Sequence, residues 1–290
     1  MNSTIELHGD TKINNTFNGL GAADGGKITS EDLPVIDSET INPDLNKELR
    51  TGVWTSDSGS KITLTGKTTI QNVDEGLYVD GGSKIISGDL TIIGSESKKT
   101  VGVNVGEPDS LIELKGKTTI QNFDVGLFAG NNLTIKMINR DIEAAQSTVE
   151  NKIEAKKVAL IVTYGGHIDL TNVSVTARIA GLQFLAFSNS DLEVLEEPQK
   201  YQSNEINLTN TKLHAENGTG IFVGAFIEKN IENDATPSIG TVNLNNSEIH
   251  ANVLLGDGIF GDKKLWEDKK KIKSCGMVKM LRQSPMVLSH

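Results

Sequence analysis

Apolar and polar residues alternate one by one along most of this chain, in short runs broken by glycine, asparagine and aspartate. Lys61-Ile62-Thr63-Leu64-Thr65 alternates, Thr68-Thr69-Ile70-Gln71-Asn72 follows it to a turn residue, and Gly76-Leu77 opens the next run. A period of two predicts strands with one buried face. Each strand is too short to be stable alone, so the buried faces must meet one another.

The small-then-aliphatic pair is the punctuation. It recurs at Gly19-Leu20, Gly52-Val53, Gly76-Leu77, Gly102-Val103, Gly126-Leu127, Ala159-Leu160, Gly181-Leu182, Gly220-Ile221 and Gly258-Ile259, at spacings of 33, 24, 26, 24, 33, 22, 39 and 38 residues. The short spacings suit one turn of a parallel β-helix, three strands and three turns. The long ones contain polar or proline-bearing stretches without alternation: Ser30 to Arg50, Asn139 to Lys157, Leu195 to Asn204 and Glu228 to Ser238. Such insertions are expected to be loops carrying the binding function, and Ile142 to Lys157 is expected to form a short helix.

Repetition reaches identity in one place. GKTTIQN occurs as Gly66 to Asn72 and again, 50 residues later, as Gly116 to Asn122, within longer parallel segments Ser58 to Val79 and Pro108 to Ala129. A weaker copy spans Ser3 to Leu20. His167 to Ala177, Ile206 to Glu216 and Val242 to Asn252 keep the grammar, each with asparagine near the turn. Stacking would bring these asparagines into register as a hydrogen-bonded ladder, in a residue type that tolerates left-handed backbone.

Composition sharpens this picture. Aromatics are 4% of the 290 residues, so the core must be aliphatic, and 29 glycines fit frequent turns. The expected fold class is all-β, a parallel β-helix over residues 1–260 followed by a basic, irregular tail at 261–290. That tail holds eight Lys or Arg against three Asp or Glu, a net +5, which leaves −15 of the total −10 on residues 1–260. The repeat region should repel nucleic acid and anionic membrane. The tail is expected to be disordered or out of register, and a truncated or frameshifted end of a longer repeat array accounts for it. Cys275 is the only cysteine, so no internal disulfide and no structural zinc site are expected. Neither a signal peptide nor a membrane-spanning helix is evident in the sequence.

With those residues assembled, the chain resembles the passenger region of bacterial type V autotransporters of the pertactin-like kind. The resemblance rests on the GKTTIQN pair, on GLYVDGGSKI and GLFAGNNLTI, and on the segments INLTNTKLHAENGTGIFV and VNLNNSEIHANVLLGDGIF, covering roughly residues 1–260. It implies a right-handed parallel β-helix at the cell surface or outer membrane, or secreted. It also implies an outer-membrane β-barrel translocator in full-length relatives, and a host cell-surface or matrix component as partner. The family's signal peptide and barrel have no counterpart in this sequence, so the chain alone is expected to stay where it is made.

Candidate chemistry is sparse, and no catalytic, cofactor or metal residue is expected. Thr55 to Lys61, TSDSGSK, invites comparison with a serine-protease nucleophile at Ser58, but Ser58 aligns with Pro108 in a turn and no upstream region supplies the partners. His167, Asp169 and Arg178 lie close in sequence, as a polysaccharide lyase or glycosidase would need, although no second carboxylate has a defined spacing. His8, His214 and His250 sit on strand-like segments, the last two at one repeat position facing solvent. The turn Val79-Asp80-Gly81-Gly82 lacks the pattern of calcium-binding β-rolls. Seven Asn-x-Ser/Thr sequons, starting at Asn2, Asn14, Asn132, Asn172, Asn207, Asn217 and Asn245, follow from composition. The expectation is a non-enzymatic adhesin or virulence factor that contacts host cells through its loops, with Ser30 to Arg50 and Glu228 to Ser238 as the contact segments. A carbohydrate-active enzyme on the same fold and a non-functional gene fragment are the alternatives.

Overall fold

A computed structural model describes residues 3–14, 16, 18–37, 49–96, 100–130, 133–138, 151–187, 204–226, 238–260 and 276–282. In chain order the strands are β1 (Thr4–Asn14), β2 (Asn18–Ala22), β3 (Lys27–Asp37), β4 (Thr51–Thr55), β5 (Lys61–Leu64), β6 (Thr68–Val73), β7 (Glu75–Val79) and β8 (Lys84–Ser87). There follow β9 (Leu90–Gly94), β10 (Val101–Val105), β11 (Leu111–Leu114), β12 (Thr118–Ala129), β13 (Thr134–Ile138), β14 (Asn151–Thr163), β15 (His167–Thr171) and β16 (Val173–Ala177). The last are β17 (Ala180–Phe187), β18 (Asn204–Thr209), β19 (Lys212–Phe226), β20 (Ser238–Asn245), β21 (Glu248–Phe260) and β22 (Gly276–Arg282). All 22 belong to one sheet, every pairing is parallel, and no helix occurs among the described residues.

The pairing follows a cycle of three. β4 pairs with β7 and β7 with β10, β5 with β8 and β8 with β11, and β6 with β9 and β9 with β12. We call the three stacks A, B and C in that order, and one strand from each a round. Several long strands run through two stacks: β1 and β3 serve B then C, and β12, β14, β19 and β21 serve C then A. A chain that returns to its own last strand after every third one has the connectivity of a β-solenoid, with which this all-β architecture is consistent.

Register makes the core. In stack B, Ile28, Ile62, Ile85, Ile112 and Ile135 pair in sequence, each 5% exposed or less. In stack C, Ile70, Ile92, Ile120, Ile153 and Val175 do the same at 1% or less. A fully buried isoleucine contributes about 1.5–3 kcal/mol, so repetition of one aliphatic per strand supplies the stability that no single strand has. The polar residues between them face outward, as the alternation demands.

The small residue that opens each A strand has a steric reason. A Cβ on Gly102 would lie 2.5 Å from Ile120 Cγ2 and 2.7 Å from the Gly126 carbonyl oxygen, and one on Gly76 would lie 2.5 Å from Ile92 Cγ2 and 2.4 Å from the Gly102 oxygen. Leu20, Val53, Leu77, Val103, Leu127, Leu160, Leu182 and Ile221 pair in register along stack A, as the sequence pattern predicts. The ninth mark is displaced: Ile221 pairs with Leu255, while Gly258-Ile259 pairs with Gly224-Ala225. The cause is a register shift between Ala215 and Thr219 of β19, opposite Ala251 and Val253.

Asparagines turn two of the three junctions. Asn72 (φ 56°) and Asn122 (φ 67°) end stack C strands, whereas Asn172, Asn210 and Asn246 (φ 57°, 48° and 48°) lie between B and C. All occupy the left-handed region that asparagine visits at low cost. The expected ladder is present where Asn246 donates through Nδ2 to Asn210 Oδ1 at 2.7 Å.

Three expectations need correction. Residues 151–157 are not helical but begin β14, because Ile153 and Ala155 keep the inward period in register with Ile120 and Phe123; residues 142–150 lie outside the described residues. Ser30 to Asp37 is not an insertion but part of β3, paired with β1 and β6. The tail is not wholly irregular, since Gly276–Arg282 forms β22 against β20, with Met280 opposite Val242. Residues 195–203 and 228–237 lie outside the described residues, while Asn204 and Ser238 begin β18 and β20.

Candidate functional site

The richest polar constellation stands on the outer face of stack B. Alternation along β15 sends Ile168 and Leu170 inward, at 0% and 1% exposure, and leaves His167 and Asp169 outside. β18 repeats the pattern with Glu205 and Asn207, and β20 with Asn243. Parallel register sets His167 beside Glu205, Asp169 beside Asn207, and Asn207 beside Asn243. The contacts are close. His167 Nε2 lies 2.6 Å from Asp169 Oδ1 and His167 Nδ1 lies 3.3 Å from Glu205 Oε2. Asn207 Nδ2 donates to Asp169 Oδ1 at 2.7 Å, and Asn243 Nδ2 donates to Glu205 Oε1 at 2.8 Å and to Asn207 Oδ1 at 2.6 Å.

Charge follows from this geometry. The hydrogen bond with Asp169 raises the His167 pKa above its ordinary 6.5 against the opposing effect of burial, and Glu205 adds to the rise while Lys136 opposes it. For Asp169 burial works upward, yet the hydrogen bonds from His167 and Asn207 hold the carboxylate below its ordinary 3.8. The result is a half-buried histidine between two carboxylates that favour its protonated form, with a carboxylate oxygen near each ring nitrogen. Such an assembly ties one round to the next, and it also offers a proton at the protein surface.

Of the residues singled out in sequence, His167 and Asp169 are brought together and Arg178 is not. Arg178 is exposed beyond β16, where its carbonyl accepts from Asn217 N at 3.2 Å. Glu205 and Asn243 were not singled out and Asn207 only as the start of a sequon, although aligning HIDLTN, INLTN and VNLNN puts Asp169, Asn207 and Asn243 at one position. Ser58 is exposed in the turn between β4 and β5, and among the described residues no histidine bonds to it. His8 is exposed near Glu31 and Glu6, at 3.2 and 3.5 Å. His214 and His250 are in register with ring centroids 6.5 Å apart, and His250 lies 3.1 Å from Glu248. Asp80 accepts from the Tyr78 hydroxyl at 2.9 Å. Among the described residues no group of three or more His, Cys, Asp or Glu is arranged to hold a metal ion, and no helix is long and apolar enough to cross a membrane.

A second set of ionisable groups sits where stack C hands over to stack A. Asp74 receives Arg50 Nη2 at 2.9 Å, Arg50 Nε at 3.0 Å and Ser95 Oγ at 2.6 Å. Its repeat equivalent Asp124 pairs with Lys157 Nζ at 2.7 Å. Next to Asp74, burial pushes the Glu75 carboxyl pKa upward, a rise opposed by hydrogen bonds from Asn104 and Thr51. The signal for both aspartates was in the sequence, as the one carboxylate shared by QNVD and QNFD. These groups tie the end of stack C to the start of stack A. Comparison with protein families, with curated proteins and with solved structures gave no match.

Proposed function

We propose that the chain is the passenger of a type V autotransporter of the pertactin-like kind: a right-handed parallel β-helix displayed at the cell surface as a non-enzymatic adhesin. One observation carries the reading. Parallel stacking runs from β1 to β22, while the long connections fall between strands rather than within them. Three of these, at 188–203, 227–237 and 261–275, follow β17, β19 and β21, so they leave stack A in consecutive rounds at the same junction. Connections that leave a repeat stack at one junction can vary in sequence without disturbing the core. The partner is a host cell-surface or matrix component. Binding of the purified chain to epithelial cells tests this: deletion of 38–48 together with 228–237 should abolish adhesion, and undiminished adhesion, or none by the intact chain, would refute it.

The second reading, a carbohydrate-active enzyme, is favoured by the grouping of His167 with Asp169 and Glu205. Glycoside cleavage uses a pair of carboxyl groups, one as acid and one as base or nucleophile, and a histidine can share the proton transfer. Release of reducing ends from polyuronate or host glycans, lost in His167→Ala, would establish it in place of the adhesin.

A further inference from the structure

The outer face of stack B carries, in its first rounds, a row unlike the rest. Lys27 pairs with Lys61 and Lys61 with Lys84, so three ammonium-bearing side chains leave adjacent parallel strands from one register position. Adjacent strands lie about 4.7–4.9 Å apart, and like charges directly opposite one another are destabilising. Thr4 precedes the row and Leu111 follows it, and the neighbouring outward row runs Glu6, Thr29, Thr63, Ile86 and Glu113, its two end carboxylates lying against His8 and Lys115. Among the described residues none of the three lysines makes an ion pair or a side-chain hydrogen bond. Nearby carboxylates are engaged elsewhere: Asp57 accepts from Asp24 N and Ser56 Oγ, Asp80 from Tyr78, and Glu31 contacts His8. Further along the same stack the charges are paired, as Glu113 with Lys115 and His167 with Asp169 and Glu205. The row is therefore a local cationic line on a protein of net charge −10.

We infer that Lys27, Lys61 and Lys84 form a binding line for an acidic polysaccharide running along the stack. A straight series of point charges at strand spacing matches a linear polyanion better than a single small anion, and ammonium groups bind sulfate or carboxylate without demanding a bidentate geometry. The threonine hydroxyls of the adjacent row, Thr29 and Thr63, suit a chain rich in hydroxyls. Nucleic acid, which ssDNA-binding proteins hold by stacking its bases on aromatic side chains as well as by charge, is disfavoured because the outward positions of the row and its neighbours carry no aromatic ring. The inference is independent of whether the long connections are adhesive.

Binding of the full chain to immobilised heparin at low and moderate salt provides the test, with each variant first shown to keep the β-sheet circular dichroism of the parent. The triple change Lys27→Gln, Lys61→Gln, Lys84→Gln should weaken binding roughly a hundredfold, at about one factor of five per lysine. Replacing the same three by arginine should preserve it. Changing Lys117, Lys152 and Lys212 to glutamine alters net charge equally and should cost less than about threefold, because it acts only through the screened field of the whole protein. No binding by the parent chain, equal loss in both glutamine sets, or tighter binding to single-stranded oligo-dT than to heparin would overturn the inference.

Discussion

Gly102 and Ile120 offer the sharpest test of how the stack is packed. A methyl added at Gly102 meets Ile120 Cγ2 at 2.5 Å and the Gly126 carbonyl at 2.7 Å, both inside contact distance. Overpacking of this kind costs about 1–3 kcal/mol. The chain itself shows the remedy. At the equivalent A position of a later round stands Ala159, fully buried, and the C strand of that round carries Val175 where the rounds opening with Gly52, Gly76, Gly102 and Gly126 carry Ile70, Ile92, Ile120 and Ile153. Valine keeps the Cγ2 branch that meets the methyl but lacks the Cδ1 carbon that wedges isoleucine in place, so it can shift away. Gly102→Ala should therefore destabilise, Ile120→Val alone should cost about 0.5–1.5 kcal/mol, and the double variant should cost at least about 1 kcal/mol less than the sum. The Gly126 oxygen stays close in both, so rescue is partial. Because repeat stacks open locally, the measurement is amide exchange of β10 and β12 by mass spectrometry. Strict additivity would refute the claim that this glycine is required by its isoleucine.

Other predictions address single side chains. His167 binds its proton more tightly when folded, so its contribution is complete below about pH 6.5 and is lost as pH rises through its elevated value; Asp169 loses its own contribution as pH falls through its depressed value. Thermal unfolding should accordingly shift to lower temperature as pH rises above about 6.5, and His167→Gln should flatten that slope. Burial raises the Glu75 pKa and so makes its charged form costly, and Glu75→Gln, which keeps an acceptor for Asn104 without the charge, should leave stability unchanged or higher at neutral pH, as read by urea unfolding. Asn122→Ala keeps a β-carbon at φ 67° but loses the side-chain amide that lets asparagine tolerate this region, together with the Nδ2 bond to Gly94 O, and should cost about 2 kcal/mol in urea unfolding. Asn122→Gly, which relieves only the backbone, should cost less than the alanine.

Much of the stack was legible from one chain. Residue periodicity marks its strands, the small-then-aliphatic pair marks eight of nine rounds, and the asparagines mark junctions. The failures have physical causes. Glu154, Ala155, Lys156 and Lys157 have the composition of a helix, but Ile153 beside Ile120 gains more from its place in the core than local preference can offer. Gly258-Ile259 imitates the opening pair because the register shift in β19 moves the true partner of Ile221 to Leu255. The polar cluster at His167 was half legible, since neighbours in sequence are visible directly, whereas Glu205 and Asn243 arrive only through pairing across long connections.

The identical heptads begin 50 residues apart and occupy the same junction, leading from stack B into stack C. A chain that lost residues 67–116 would pass from Gly66 to Lys117 with no seam: Ile62 would lie beneath Ile135, and Asp124 would stand beside Arg50 in place of Asp74. Recombination between the two coding copies would leave the reading frame whole, since the interval is a whole number of codons. The length of this protein is thus a quantity its gene can change in a single step, by a unit the fold is already built to spare.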